Sequence, residues 1–101
     1  MKCIIVDDEE MAIKVLEKYI QEIKSLEVIA THNNAMDAFA SLQKEHVDIL
    51  FLDIQMPKLT GFDLLQTLTN LPHVIITTAH REYALESYNF TVTDYLLKPI
   101  S

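Results

Sequence analysis

Val47-Asp48-Ile49-Leu50-Phe51-Leu52-Asp53-Ile54-Gln55-Met56-Pro57, followed shortly by Gly61, is the stretch around which the rest of the chain is arranged. Its first part is a short apolar run with β-branched and aromatic residues and no outward polar positions. It is too short for a helix and predicts a strand buried on both faces. Asp53 falls where that run stops. A carboxylate at such a place must leave the core or be paired, and Pro57 and Gly61 bracket a loop that would hold it at the sheet edge. Taken alone, an aspartate here is most often a turn or capping residue. Asp53 is set apart because three other predicted strands also end in polar groups suited to one site.

The chain of 101 residues is expected to form one domain, long enough for a core but small enough that every element must contribute. Hydrophobic residues make up 50% of it, too many for a disordered tail. No apolar run approaches the roughly 20 residues of a membrane span, and Met1-Lys2 leads straight into a strand without a signal-peptide pattern. The expectation is a cytoplasmic protein without membrane contact. Cys3, the single cysteine, lies in the first apolar strand and is expected to behave as a small buried hydrophobe. Fifteen acidic residues against 8 basic give a net charge of −7, and no Lys/Arg cluster is large enough to follow a phosphate backbone. With one glycine in the sequence, a glycine-rich nucleotide cradle is excluded.

Lys2 to Val6 predicts the first buried strand, ending at Asp7-Asp8-Glu9-Glu10. Glu9 and Glu10 suit a solvated helix start, whereas Asp7 and Asp8 leave the strand at the same sheet edge as Asp53. The following helix carries Ala12, Val15, Leu16, Tyr19, Ile20 and Ile23 at helical spacing. Leu26 to Thr31 predicts a second strand, with Val28 and Ala30 on one face and Ile29 on the other. Asn34 to Asp37 resembles a capping box opening a helix with Ala35, Ala38, Phe39 and Leu42. After the organising strand, residues 61–70 predict a third helix stopped before Pro72, and Val74 to Thr77 a fourth strand that delivers Thr78. Residues 81–88 predict a weakly held helix, and Thr93 to Leu97 a fifth strand ending at Lys98-Pro99. This alternation calls for a parallel sheet with right-handed crossovers, whose ligands sit beyond the carboxyl ends of the strands. Asp7, Asp8, Asp53, Thr78 and Lys98 all fall at those ends.

Gathered carboxylates repel, by about 4 kcal/mol per pair at about 4 Å and an effective dielectric of about 20. A divalent cation, an ammonium or protonation relieves this. Hard oxygen donors without His or Cys favour Mg²⁺, or Mn²⁺, and Lys98 supplies an ammonium. Such a site accepts a phosphoryl group, with Asp53 placed as the carboxylate nucleophile.

Ile4-Ile5-Val6-Asp7-Asp8-Glu9, Phe51-Leu52-Asp53-Ile54-Gln55-Met56-Pro57 with Gly61, Thr78-Ala79, and Tyr95-Leu96-Leu97-Lys98-Pro99 together resemble the receiver domain of two-component response regulators. The motifs cover nearly the whole chain in order. Thr77 to Leu85 followed by Asp94 to Pro99 is similar to receivers that precede a LytTR-type DNA-binding domain. The resemblance implies a flavodoxin-like, doubly wound, five-stranded parallel sheet in the order 2-1-3-4-5. It implies a receiver domain over residues 1–101, ending before its last helix. Asp53 would take a phosphoryl group from a sensor histidine kinase. Asp8, Asp53 and the backbone carbonyl of Gln55 would bind Mg²⁺ directly and Asp7 through water. Lys98 would pair with the phosphate, Thr78 and Tyr95 would form the switch pair, and Lys98-Pro99 would be a cis peptide. Gln55 and His80 would occupy positions that tune phosphoryl lifetime. Homodimerisation on phosphorylation, and control of DNA only through a C-terminal domain outside this chain, complete the expectation. The protein would be a phosphoacceptor and not an enzyme acting on other substrates. A haloacid-dehalogenase-like phosphohydrolase would need an acid two residues after the nucleophile, where Gln55 stands and cannot exchange the proton. A pseudo-receiver without chemistry would be expected to lack some of the five site residues.

Overall fold

The apolar runs that end in polar residues become strands, and all of them lie in one sheet. The computed structural model describes residues 1–54, 56, 61–67, 72–79 and 94–98. In chain order these form β1 (Lys2–Val6), α1 (Glu10–Gln21), β2 (Glu27–His32), α2 (Ala35–Lys44), β3 (Ile49–Asp53), α3 (Gly61–Thr67), β4 (His73–Thr78) and β5 (Asp94–Leu97). The sheet has five strands in the order β2-β1-β3-β4-β5, and every pairing is parallel. This is the predicted topology. The predicted helix over 81–88, His80 and the loop at Pro57 lie outside the described residues.

Period-two alternation sorts the strand side chains into two cores. Ile4 and Val6, Leu50 and Leu52, and Val74 and Ile76 face one side, where Ala35 and Ala38 of α2 and Leu64 and Leu65 of α3 cover them. Cys3, Ile5 and Phe51 face the other side, beneath Ile13, Leu16 and Ile20 of α1. Each fully buried leucine or isoleucine removes enough apolar surface to stabilise the fold by about 1.5–3 kcal/mol. The Cys3 thiol is fully enclosed, and burial pushes its pKa up, which leaves it an unreactive packing group.

Two local expectations are corrected. Tyr19 does not join the α1 core face but is 39% exposed, and Ile23, expected on the same helix, lies past its end at Gln21 and is 47% exposed; Ile13, Leu16 and Ile20 are the residues turned toward the sheet. In β2 the register with β1 passes from Cys3↔Val28 to Ile4↔Ala30, skipping Ile29. The bulge breaks the alternation, so Ile29 and Ala30 pack on the same cluster while Val28 packs on the opposite one.

At α2 the predicted cap forms. Asn34 is the N-cap, and its side-chain oxygen accepts the Asp37 N–H at 2.8 Å. The Asn34 amide in turn donates to the Asp37 carboxylate at 2.8 Å, a side-chain variant of the capping box. At the amino end of the sheet, Asp48 joins three strands. Its carboxylate accepts the Lys2 N–H at 2.7 Å, its own N–H donates to the Lys2 carbonyl at 2.8 Å, and its carbonyl accepts the His73 N–H at 3.0 Å. The hydrogen bond from Lys2 holds the Asp48 carboxyl below its ordinary value, and nearby His46 adds to this.

Candidate functional site

The carboxyl ends of β1, β3, β4 and β5 converge on one cluster. Asp7 continues β1 by donating its N–H to the His32 carbonyl at 3.0 Å, and Asp53 is the last residue of β3. Both are buried in spite of their charge, Asp7 at 0% and Asp53 at 2% exposure, whereas Asp8 faces solvent. Each of the three offers a carboxylate oxygen, and these oxygens lie within 4.8 Å of one another. An open cleft of about 510 Å³ runs from Asp8 along α1 to the start of α2.

Lys98 reaches into this cluster from the end of β5. Its N–H donates to the Thr78 carbonyl at 2.6 Å, which extends the β4–β5 ladder by one rung. Its ammonium lies 2.8 Å from Asp7 Oδ2, 3.2 Å from Glu9 Oε1 and 3.5 Å from Asp53 Oδ2. Burial alone would lower the lysine pKa, but the hydrogen bond to Asp7 and the charges of Asp53 and Asp7, helped by Glu9, outweigh it and raise the pKa above 10.5. The ammonium is therefore charged throughout the neutral range. Thr78 is fully buried at the end of β4, next in the chain to Thr77, whose hydroxyl is buried without a hydrogen-bond partner among the described residues.

Gly61 sets the approach of α3 to this edge. Its N–H donates to the Ile54 carbonyl at 3.2 Å, and a Cβ in its place would lie 2.5 Å from the Asp53 carbonyl oxygen and 2.7 Å from Ile54 Cα. Its value is therefore closeness and not turn geometry. The predicted residues Asp7, Asp8, Asp53 and Lys98 are thus brought together, with Thr78 on the neighbouring strand end. Gln55 and Pro99 lie outside the described residues, and so does the side chain of Tyr95, whose backbone pairs with Ile76 in β5. Glu9 stands at the solvated start of α1, as expected, but its carboxylate also contacts the Lys98 ammonium 89 positions away, a contact that no local sequence signal announces.

Whether a divalent cation suits these residues can be judged from the donors. Counting all four groups as ionised, Asp7, Asp8 and Asp53 contribute −3 and Lys98 +1, a net −2. The buried Asp7 Oδ2 is met by the Lys98 ammonium at 2.8 Å. A hard cation held by oxygen fits both the charge and the donor type.

Residues 3–101 match the response regulator receiver domain. The chain belongs to that family. The receiver is 37% identical over 102 residues to the transcriptional regulatory protein BtsR of Escherichia coli, a match that covers 99% of this chain and 43% of that protein. Among solved structures, it superposes on the response regulatory domain of protein mrkE from Klebsiella pneumoniae with a TM-score of 0.89 and 34% identity, covering 100% of this chain and 85% of the other. The receiver domain of AraT from Geobacillus stearothermophilus gives a TM-score of 0.85 at 33% identity, over 99% and 82% of the two chains. The receiver spans less than half the length of the curated relatives it matches. It is a receiver domain of two-component signalling, and among its described residues no helix is long and apolar enough to cross a membrane.

Proposed function

We propose that Asp53 accepts a phosphoryl group from the phosphohistidine of a sensor histidine kinase, and that the whole of residues 1–101 serves as the domain that carries this signal. The observation that supports it most is the placement of the Asp53 carboxylate, 2% exposed at the end of the central strand and 3.5 Å from the Lys98 ammonium. A buried carboxylate beside a fixed cation is held in one orientation, so an incoming phosphorus atom meets an aligned oxygen. In the transfer the P–N bond to the kinase imidazole breaks, a P–O bond to Asp53 forms, and the imidazole leaves with the electron pair and takes up a proton.

Asp8, Asp53 and the Gln55 carbonyl would hold Mg²⁺, or Mn²⁺, with Asp7 acting through water. The ion's chemistry there is to neutralise negative charge on the phosphoryl oxygens. Lys98 contributes its permanent charge to the same oxygens. Thr78 offers a hydroxyl to the new phosphoryl group, and Tyr95 is its partner in the switch, with a cis Lys98-Pro99 peptide aiming the lysine. The surface formed by 81–88 and β5 would then change, promote homodimerisation, and pass the signal to a DNA-binding output of LytTR type. On this reading the protein is a cytoplasmic phosphoacceptor that catalyses only its own phosphorylation and dephosphorylation.

Labelling with acetyl phosphate in Mg²⁺ tests it. Wild-type protein should gain one acid-labile phosphoryl group and Asp53→Asn none. Undiminished labelling of the variant would overturn the assignment.

A further inference from the structure

Glu9 occupies the N-cap position of α1, yet its side chain makes no capping hydrogen bond. Glutamate is not among the residues favoured at an N-cap, where Ser, Thr, Asp and Asn satisfy the open N–H groups. Its carboxylate is turned instead to Lys98, 3.2 Å away, while its own N–H donates to Asp7 Oδ1 at 2.9 Å. With Lys98 2.8 Å from Asp7 Oδ2, the three residues close a ring: Asp7 to Glu9 through the backbone, Glu9 to Lys98 through the carboxylate, and Lys98 back to Asp7.

We propose that Glu9 is a positioning residue, a resting latch on the Lys98 ammonium that must open when Lys98 pairs with a phosphoryl group on Asp53. The proposal rests on the reading of Asp53 as the phosphoacceptor. Lys98 sits closer to Asp7 and to Glu9 than to Asp53, so recruiting it toward Asp53 means giving up a partner. The two partners differ in what their loss costs. Asp7 is wholly buried and would meet Mg²⁺ only through water, so losing the directly bonded ammonium would leave its carboxylate poorly compensated; the Glu9 side chain is 66% exposed, and water replaces the lysine there with little penalty. Glu9 is therefore the contact that yields. Its length matters as well as its charge, because an aspartate at the same position would be a good N-cap and its shorter side chain would turn back onto α1.

The test measures beryllofluoride affinity by calorimetry in saturating Mg²⁺, and Tm without either, on full-length protein carrying Glu9→Gln, Glu9→Asp or Glu10→Gln. Glu10 carries the same charge one residue on and faces Lys14 at 4.0 Å, so it controls for the general field. Both Glu9 variants should bind beryllofluoride about 1.5- to 5-fold more tightly, the range expected for releasing an exposed ion pair. Glu10→Gln should match wild type. Glu9→Asp should also raise Tm by roughly 2 to 5 °C through capping. Equal gains from Glu9→Gln and Glu10→Gln, or wild-type affinity in either Glu9 variant, would overturn the latch while leaving Asp53 as acceptor. A wild-type protein that binds no beryllofluoride would overturn the Asp53 reading itself, and the latch with it.

Discussion

Replacing Gly61 by alanine should be among the most damaging single-methyl changes in this chain. The added Cβ would meet the Asp53 carbonyl oxygen at 2.5 Å, Ile54 Cα at 2.7 Å and the Asp53 carbonyl carbon at 3.1 Å. The closest approaches fall short of ordinary contact by about 1 Å. All three atoms are backbone at the end of β3, paired through Asp53↔Thr77 with β4, so the strand cannot give. The helix must retreat, taking Leu64 and Leu65, now 0% and 3% exposed, partly out of the core. Overpacking of this kind costs about 1–3 kcal/mol, and thinning the contacts of two leucines adds about 1 kcal/mol. Against this, alanine loses less chain entropy than glycine on folding, a gain of about 0.4–1 kcal/mol. The net loss is about 1–3.5 kcal/mol, which lowers Tm by roughly 4 to 25 °C in a domain of this size. Urea unfolding should show a lower midpoint with an unchanged slope. Beryllofluoride binding should weaken as well, because the displaced atoms belong to Asp53. Wild-type stability in Gly61→Ala would refute the close approach of α3 to the strand end.

Asn34→Ala removes the acceptor for the Asp37 N–H and should cost about 1 kcal/mol in urea unfolding, with Asn34→Ser close to wild type; equal losses from both would deny the cap its role. The Asp48 carboxyl titrates below its ordinary 3.8 in the folded protein, so its contribution is present above that value and is lost as pH falls through the folded pKa. The stability gap between wild type and Asp48→Asn should therefore be fully present at about pH 5 and close in more acid solution. A gap that widens on acidification would contradict the sign.

The strand ends were legible because they combine two signals that rarely coincide by chance. Apolar runs of strand length stop at Asp7, Asp53, Thr78 and Lys98, and a parallel order sends all of those stops to one edge. Asn34 was legible for a similar reason: its cap lies within three residues, where local chemistry decides. What escaped the sequence is what depends on distant or continuous geometry. The skip at Ile29 arises from how β2 lies along β1, and nothing in Glu27 to His32 marks it. The facing of α1 that exposes Tyr19 is decided by the sheet beneath the helix, since a wide apolar stripe allows several facings, and Ile23 is exposed because the helix ends at Gln21. Gly61 was noticed as a loop boundary, but its reason is the backbone of Asp53 and Ile54. Glu9 reads as a helix start because four successive acids before a helix have that ordinary explanation, and it is one; its second contact, to Lys98, depends on the fold.

Because the Lys98 amide is bonded to the Thr78 carbonyl as a rung between β4 and β5, its Cα is anchored to the sheet and the charge rides on a four-carbon arm. Exchanging one anion for another is then a matter of torsion about side-chain bonds, which takes picoseconds to nanoseconds, with no strand displaced. Any rearrangement carried outward to a neighbouring molecule involves collective motion in microseconds to milliseconds. The lysine would thus settle on its new partner long before the rest of the domain responds. The nitrogen-15 signal of this ammonium should report a fast phase that is complete before any change in assembly begins.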